Sequence, residues 1–68
     1  MFNTYAVVRL LEDIGDKLRA NTRGVILTVY PSDPTEYEVE FVDDEGATIE
    51  MRAVKESQIR LESQDSQS

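Results

Sequence analysis

The chain has no cysteine, no histidine and no tryptophan. Without cysteine there is no disulfide, and without cysteine and histidine the usual zinc sites are excluded. The same two absences remove the thiol nucleophile and the commonest general base. A chain of 68 residues, at a size where the core is marginal, must therefore hold its fold by packing or with help from a partner. Long apolar runs are missing too. The longest, VILTVY at 25–30, is far short of a membrane span. The first ten residues, MFNTYAVVRL, have neither the basic start nor the small-residue cleavage site of a secretion signal, so a cytoplasmic location is expected. Bases are scarce: 7 against 14 acids, for a net charge of −7. Such a chain is repelled by nucleic acid and by anionic membranes and attracted to basic surfaces. Acidity also serves plain solubility.

What is present is an apolar fraction of 40%, enough for one compact domain. That domain is expected over residues 1–62, followed by a disordered polar tail, SQDSQS, at 63–68. Residues 1–4 read as a tether. Tyr5–Leu11, YAVVRLL, reads as a strand with Ala6, Val8 and Leu10 on one face. A helix over 5–19 competes, because Leu10, Leu11, Ile14 and Leu18 have helical spacing, but Gly15 and the Val7-Val8 pair weigh against it. In the connection over 12–23, Ile14 and Leu18 read as apolar plugs, and Asn21 and Gly24 as turn positions that tolerate positive φ. Val25–Tyr30 is a second strand, so apolar that it must be buried on both sides or strongly bent. Pro31 and Pro34 end it in an exposed turn.

Glu36–Val42 alternates cleanly, with Tyr37, Val39 and Phe41 inward and Glu36, Glu38 and Glu40 outward. Asp43-Asp44-Glu45-Gly46 is a hairpin turn. Ala47–Ala53 returns, and simple alternation puts Ala47, Ile49, Met51 and Ala53 inward and Thr48, Glu50 and Arg52 outward. Two registers are open: Glu40 opposite Glu50 with Glu38 opposite Arg52, or Glu38 opposite Glu50 with Glu36 opposite Arg52. Either places like charges directly across a ladder, which is unfavourable by about 0.2–1 kcal/mol. Val54–Ser57 has room for one helical turn, and Gln58–Leu61 for a closing strand with Ile59 and Leu61 as core contacts. This order of elements predicts an all-β fold, a small five-stranded SH3-like barrel.

The words YAVVRLL, Leu18, GVILTVY and YEVEFVD resemble a bacterial family of small domains of unknown function. The resemblance covers roughly residues 5–61. It implies an SH3-like barrel, distantly similar to KOW modules and to the barrel of the nitrile hydratase β-subunit. It carries no catalytic residues. It also implies an antitoxin or immunity role, since such domains are encoded beside nuclease-like toxins. The chain departs from the family at Asn21, where glycine is usual, and at Val25, where threonine is common.

The candidate site is a surface for a basic protein, formed by Glu36, Glu38, Glu40, Asp43, Asp44, Glu45 and Glu50. A solvated strand face is the plainer account of the same residues. No cofactor and no metal are expected, since the turn lacks the calcium-loop pattern of alternating acids. No enzyme activity is expected, because the acids lie on an outer face in water and not in a cleft that shifts their pKa values. Arg9, Lys17, Arg19 and Arg23 form a modest basic cluster, but the acids outnumber the bases, so direct nucleic-acid binding is not expected. Tyr30 either lines a shallow groove with Pro31 and Pro34 or packs on them. The leading reading is thus a non-enzymatic protein–protein interaction module, an acidic antitoxin or immunity partner masking a basic toxin, itself a monomer or weak dimer. The alternative is an accessory barrel of a larger enzyme or RNA-binding complex, docking through Tyr5, Val7, Ile26 and Tyr30.

Overall fold

The computed structural model describes residues 2–64. The chain forms β1 (Val7–Leu10), β2 (Arg23–Tyr30), β3 (Glu36–Val42), β4 (Thr48–Lys55) and β5 (Ile59–Ser63), with a 3-10 turn at Glu56–Gln58 before β5. The five strands make one antiparallel sheet in the order β4-β3-β2-β1-β5. Among the described residues no helix is long and apolar enough to cross a membrane.

The connection from β4 to β5 makes the sheet curl. Strands lie about 4.8 Å apart, so the two edges of a flat sheet of this order would stand about 19 Å apart. Only the three residues Glu56–Gln58 separate Lys55 from Ile59. Fully extended they would reach about 14 Å, and as a 3-10 turn about 8 Å. The edges must approach one another, and the sheet wraps into a barrel-like shell around one core.

That core is the concave face of the sheet. Ala6, Val8 and Leu10 come from β1 and the residue before it, Ile26 from β2, Tyr37, Val39 and Phe41 from β3, Val54 from β4 and Ile59 from β5. Leu18 fills it from the long connection, where Ile14 and Leu18 form a bridge and Ile14 packs at the core margin. The two plugs therefore act as the spacing suggested. Strand β2 is bent, not buried on both sides: its register against β3 shifts between Ile26 and Thr28, leaving Leu27 as the extra residue of a bulge.

Five expectations need correction. Tyr5 precedes β1 and has φ 70, with its ring exposed, so the strand begins two residues later. Gly24 is not a turn residue. It lies buried within β2, and a Cβ there would sit 2.5 Å from Val39 Cγ1 and 2.9 Å from Phe41 Cδ1. Glycine is required by close packing, whereas Asn21, at φ 76, does hold a left-handed turn. Residues 2–4 are not a free tether. The Phe2 ring stacks on Tyr37 at 5.6 Å, and the Phe2 N–H donates to the Tyr37 hydroxyl at 3.0 Å. That hydroxyl in turn donates to Glu56 at 3.0 Å. Burial, reinforced by Glu56, raises the Tyr37 phenol above its ordinary value despite the opposing Phe2 N–H. At the other end Ser63 belongs to β5 and Gln64 accepts from the Asn3 N–H at 2.8 Å, so the ordered chain runs past residue 62. Leu61 is exposed and leaves the core to Ile59. The remainder of the expected tail, 65–68, lies outside the described residues.

Candidate interaction surface

The acidic row on β3 is as the alternation requires. Tyr37, Val39 and Phe41 are fully buried, so Glu36, Glu38 and Glu40 must point outward. Their neighbours across both ladders are now fixed. Glu40 lies between Val25 and Met51, Glu38 between Thr28 and Ala53, and Glu36 between Tyr30 and Lys55. The Thr48 hydroxyl donates to Glu40, and the Tyr30 hydroxyl donates to Glu38 at 3.4 Å. Lys55 lies directly opposite Glu36 and Arg23 diagonal to Glu40, and no ion pair joins either cation to the row among the described residues.

Glu50 is not on this face. The register of β3 against β4 shifts between Phe41 and Val42: Val42 pairs with Thr48 and Phe41 with Glu50, leaving Ile49 unpaired. One extra residue reverses the phase of everything that follows. Glu50, Arg52 and Val54 share the inner side with Phe41, Val39 and Tyr37, while Met51 and Ala53 face out. The contact of Glu50 with a β3 glutamate, expected in either register, is absent. Glu50 accepts instead from Arg52 Nε at 2.9 Å, at the rim of the core. The Arg52 guanidinium lies under Gly15, where a Cβ would come within 3.2 Å of it. Gly15 thus tolerates its own φ of 65 and admits Arg52.

The hairpin acids also divide. Asp43 is used locally: its Oδ1 accepts from the Glu45 and Ala47 N–H groups, each at 2.9 Å, which shapes the turn. Asp44 faces the groove beside Arg9, and Glu45 is exposed at the tip. Of the seven candidate acids, Glu36, Glu38 and Glu40 form one surface and the others serve elsewhere. Among the described residues no group of acids is placed to hold a metal ion.

The corrected phase of β4 adds a residue that alternation had hidden. Met51 is 59% exposed on the acidic face, and Tyr30, 42% exposed, stands on its far side. The acidic row is therefore flanked by two large, adaptable side chains. The alternative docking surface of Tyr5, Val7, Ile26 and Tyr30 is not assembled, because Ile26 is wholly buried.

The basic cluster is regrouped as well. Arg19 pairs with Asp13 at 3.3 Å, and Asp13 also accepts the Ala20 N–H at 2.8 Å. The Ala20 N–H and then Arg19 hold the Asp13 carboxyl below its ordinary value. Arg9 is directly opposite Arg23 on β2 and directly opposite Arg60 on β5. The place of Arg60 in this row is not legible in the sequence, because nothing there fixes the β1–β5 register.

A family model described as a domain of unknown function, DUF4926, matches residues 4–61, and the chain belongs to that family. No curated protein and no solved structure matches it.

Proposed function

We propose that this domain is a non-enzymatic protein–protein interaction module whose outer β3 face receives a basic partner. One observation carries the reading: Glu36, Glu38 and Glu40 stand in a row without an ion pair among the described residues, between exposed Met51 and Tyr30. Protein interfaces favour this mixture, since Met and Tyr are enriched in their cores while charge at the margin steers encounter. Successive glutamates along the strand are about 7 Å apart, a spacing that matches basic side chains on an opposing extended segment or helix.

The more specific proposal is an antitoxin or immunity role in the cytoplasm, with this face covering the nucleic-acid site of a basic nuclease-like toxin. The resemblance noted above supports it, and so does the charge: a surface that binds phosphates also binds a row of carboxylates. The mechanism is electrostatic steering followed by steric occlusion, with no chemistry on the partner.

The test is a variant in which Glu36, Glu38 and Glu40 are all changed to lysine. Affinity capture from the native host should recover a basic protein with the parent chain, released by high salt, and not with the variant. The variant should unfold at a temperature close to the parent's, because all three side chains face solvent. Undiminished capture by a folded variant would refute the assignment.

A further inference from the structure

Arg23, Arg9 and Arg60 lie side by side on three adjacent strands, β2, β1 and β5, with Arg9 at the centre of both pairings. Like charges directly opposite one another are unfavourable in a sheet, and here two such contacts share one residue. The chain answers only part of this charge. Glu62 takes Arg9, through Nε and through an Nη2 contact of 3.4 Å. The Arg9 guanidinium holds the Glu62 carboxyl low, and Arg60 and Arg23 act on it in the same direction from farther away. Asn21 accepts from Arg9 Nη1 at 3.0 Å through its carbonyl and from Arg60 Nη2 at 3.3 Å through its side chain. The Arg23 side chain has no hydrogen bond and no ion pair among the described residues.

Beside this row is an open groove of about 370 Å³ between the β1–β2 connection and the β3–β4 hairpin. Arg9, Arg23, Asp43 and Asp44 line it together with Val42, which lies directly opposite Arg23, and Ile49. We propose that the arginine row, entered along this groove, binds a carboxylate side chain of an acidic polypeptide segment. The occupant is argued from charge and geometry. The row already holds one carboxylate, that of Glu62, in the two-pronged manner suited to a guanidinium. The unpartnered Arg23 is free to take a second. Asp43 and Asp44, which also line the groove, oppose a polyphosphate backbone, which has no donor to offer them, whereas an acidic peptide brings backbone N–H groups that a carboxylate accepts. The site uses none of the residues of the acidic row on β3, which it meets only where Arg23 lies diagonal to Glu40.

The experiment is a nuclear magnetic resonance titration of the full, isotope-labelled chain. The probes are hexaglutamate capped at both ends, inorganic phosphate and an oligothymidylate of matching charge. Hexaglutamate should shift the side-chain Nε–H signals of Arg9, Arg23 and Arg60 saturably. Arg23→Gln should weaken its binding by about tenfold, the effect of losing one hydrogen bond between charged groups. The same variant should unfold no earlier than the parent, since it relieves a like-charge contact. Arg60→Gln offers a second reading of the row should Arg23→Gln fail to fold. The proposal is overturned if hexaglutamate produces no saturable shift, if the shifts fall elsewhere, if binding survives the substitution, or if phosphate or oligothymidylate binds the row more tightly than the peptide.

Discussion

Replacing Gly24 by alanine tests the packing account at its tightest point. An added methyl would lie 2.5 Å from Val39 Cγ1 and 2.9 Å from Phe41 Cδ1. Carbon atoms rest about 3.5–4.0 Å apart, so the overlap with Val39 is about 1 Å or more. Val39 cannot swing away, because its β-branched side chain is stiff and fully buried. Phe41 is equally enclosed. Overpacking of this kind costs about 1–3 kcal/mol. Alanine recovers about 0.5–1 kcal/mol of the backbone entropy that glycine loses in a strand, leaving a net loss of about 1–2 kcal/mol. For a domain of this length each kcal/mol lowers Tm by about 4–8 °C. Thermal unfolding followed by circular dichroism should thus show a fall of about 5–15 °C. The double variant isolates the cause: Gly24→Ala should cost less in a Val39→Ala background, where the tightest contact is gone and only the one with Phe41 remains. An unchanged Tm in the single variant, or an equal cost in both backgrounds, would show that close approach is not why glycine stands here.

The two ends of the pH range give further tests. Burial raises the Tyr37 phenol, so the native state takes up the phenolate less readily than the unfolded chain does. Its contribution is complete below the ordinary phenol value and is lost as pH rises through the raised one. Tyr37→Phe should flatten this alkaline loss in urea unfolding while costing about 0.5–1.5 kcal/mol at neutral pH; an unaltered alkaline slope would count against the buried hydroxyl. Asp13 has the opposite sign. Its lowered carboxyl contributes above the ordinary carboxylate value, and the contribution disappears as pH falls through the depressed one. Asp13→Asn should flatten part of the acid limb. Glu62, held down by Arg9, leaves a residual slope, and an acid limb identical to the parent's would contradict the assignment.

Much of this fold is legible in the sequence, and the failures share a cause. Strand β3 can be read residue by residue because both of its faces are chemically pure. Simple alternation exchanges the faces of strand β4 because the bulge at Ile49 adds a residue without leaving a compositional mark. Ile49, Met51 and Ala53 alternate as plausibly as Glu50, Arg52 and Val54 do. Val54 was the available signal: anchoring the phase on this β-branched residue, next to the closing turn, places Glu50 and Arg52 on the inner side. Gly24 suggests a turn because sequence shows glycine's freedom and not its neighbours. The role of Phe2 is hidden because its stacking partner is 35 residues away.

The same bulge changes what the charges mean. A glutamate facing Glu50 would have been an unfavourable contact retained for a partner, but it does not exist, and Glu50 is satisfied by Arg52. The β3 glutamates are spaced along one strand, so their mutual repulsion is weak and says little by itself. What raises the acidic row above a solvated face is Met51, exposed by that bulge beside carboxylates that remain unpaired among the described residues. The unfavourable like-charge contact occurs instead on the basic side, where Arg23, Arg9 and Arg60 are held in register by ladders formed by residues far apart in the chain. In an acidic chain with only 7 bases, three of them stand in one row. Spreading them over the acidic surface would neutralise more charge, so concentrating them preserves two surfaces of opposite sign. Arg23 and Glu40 meet diagonally across β2 and β3, at about 7–8 Å, close to the screening length of about 8 Å at physiological ionic strength. The two surfaces therefore share one border, and away from it, at Glu38 and at Arg60, each keeps its own sign.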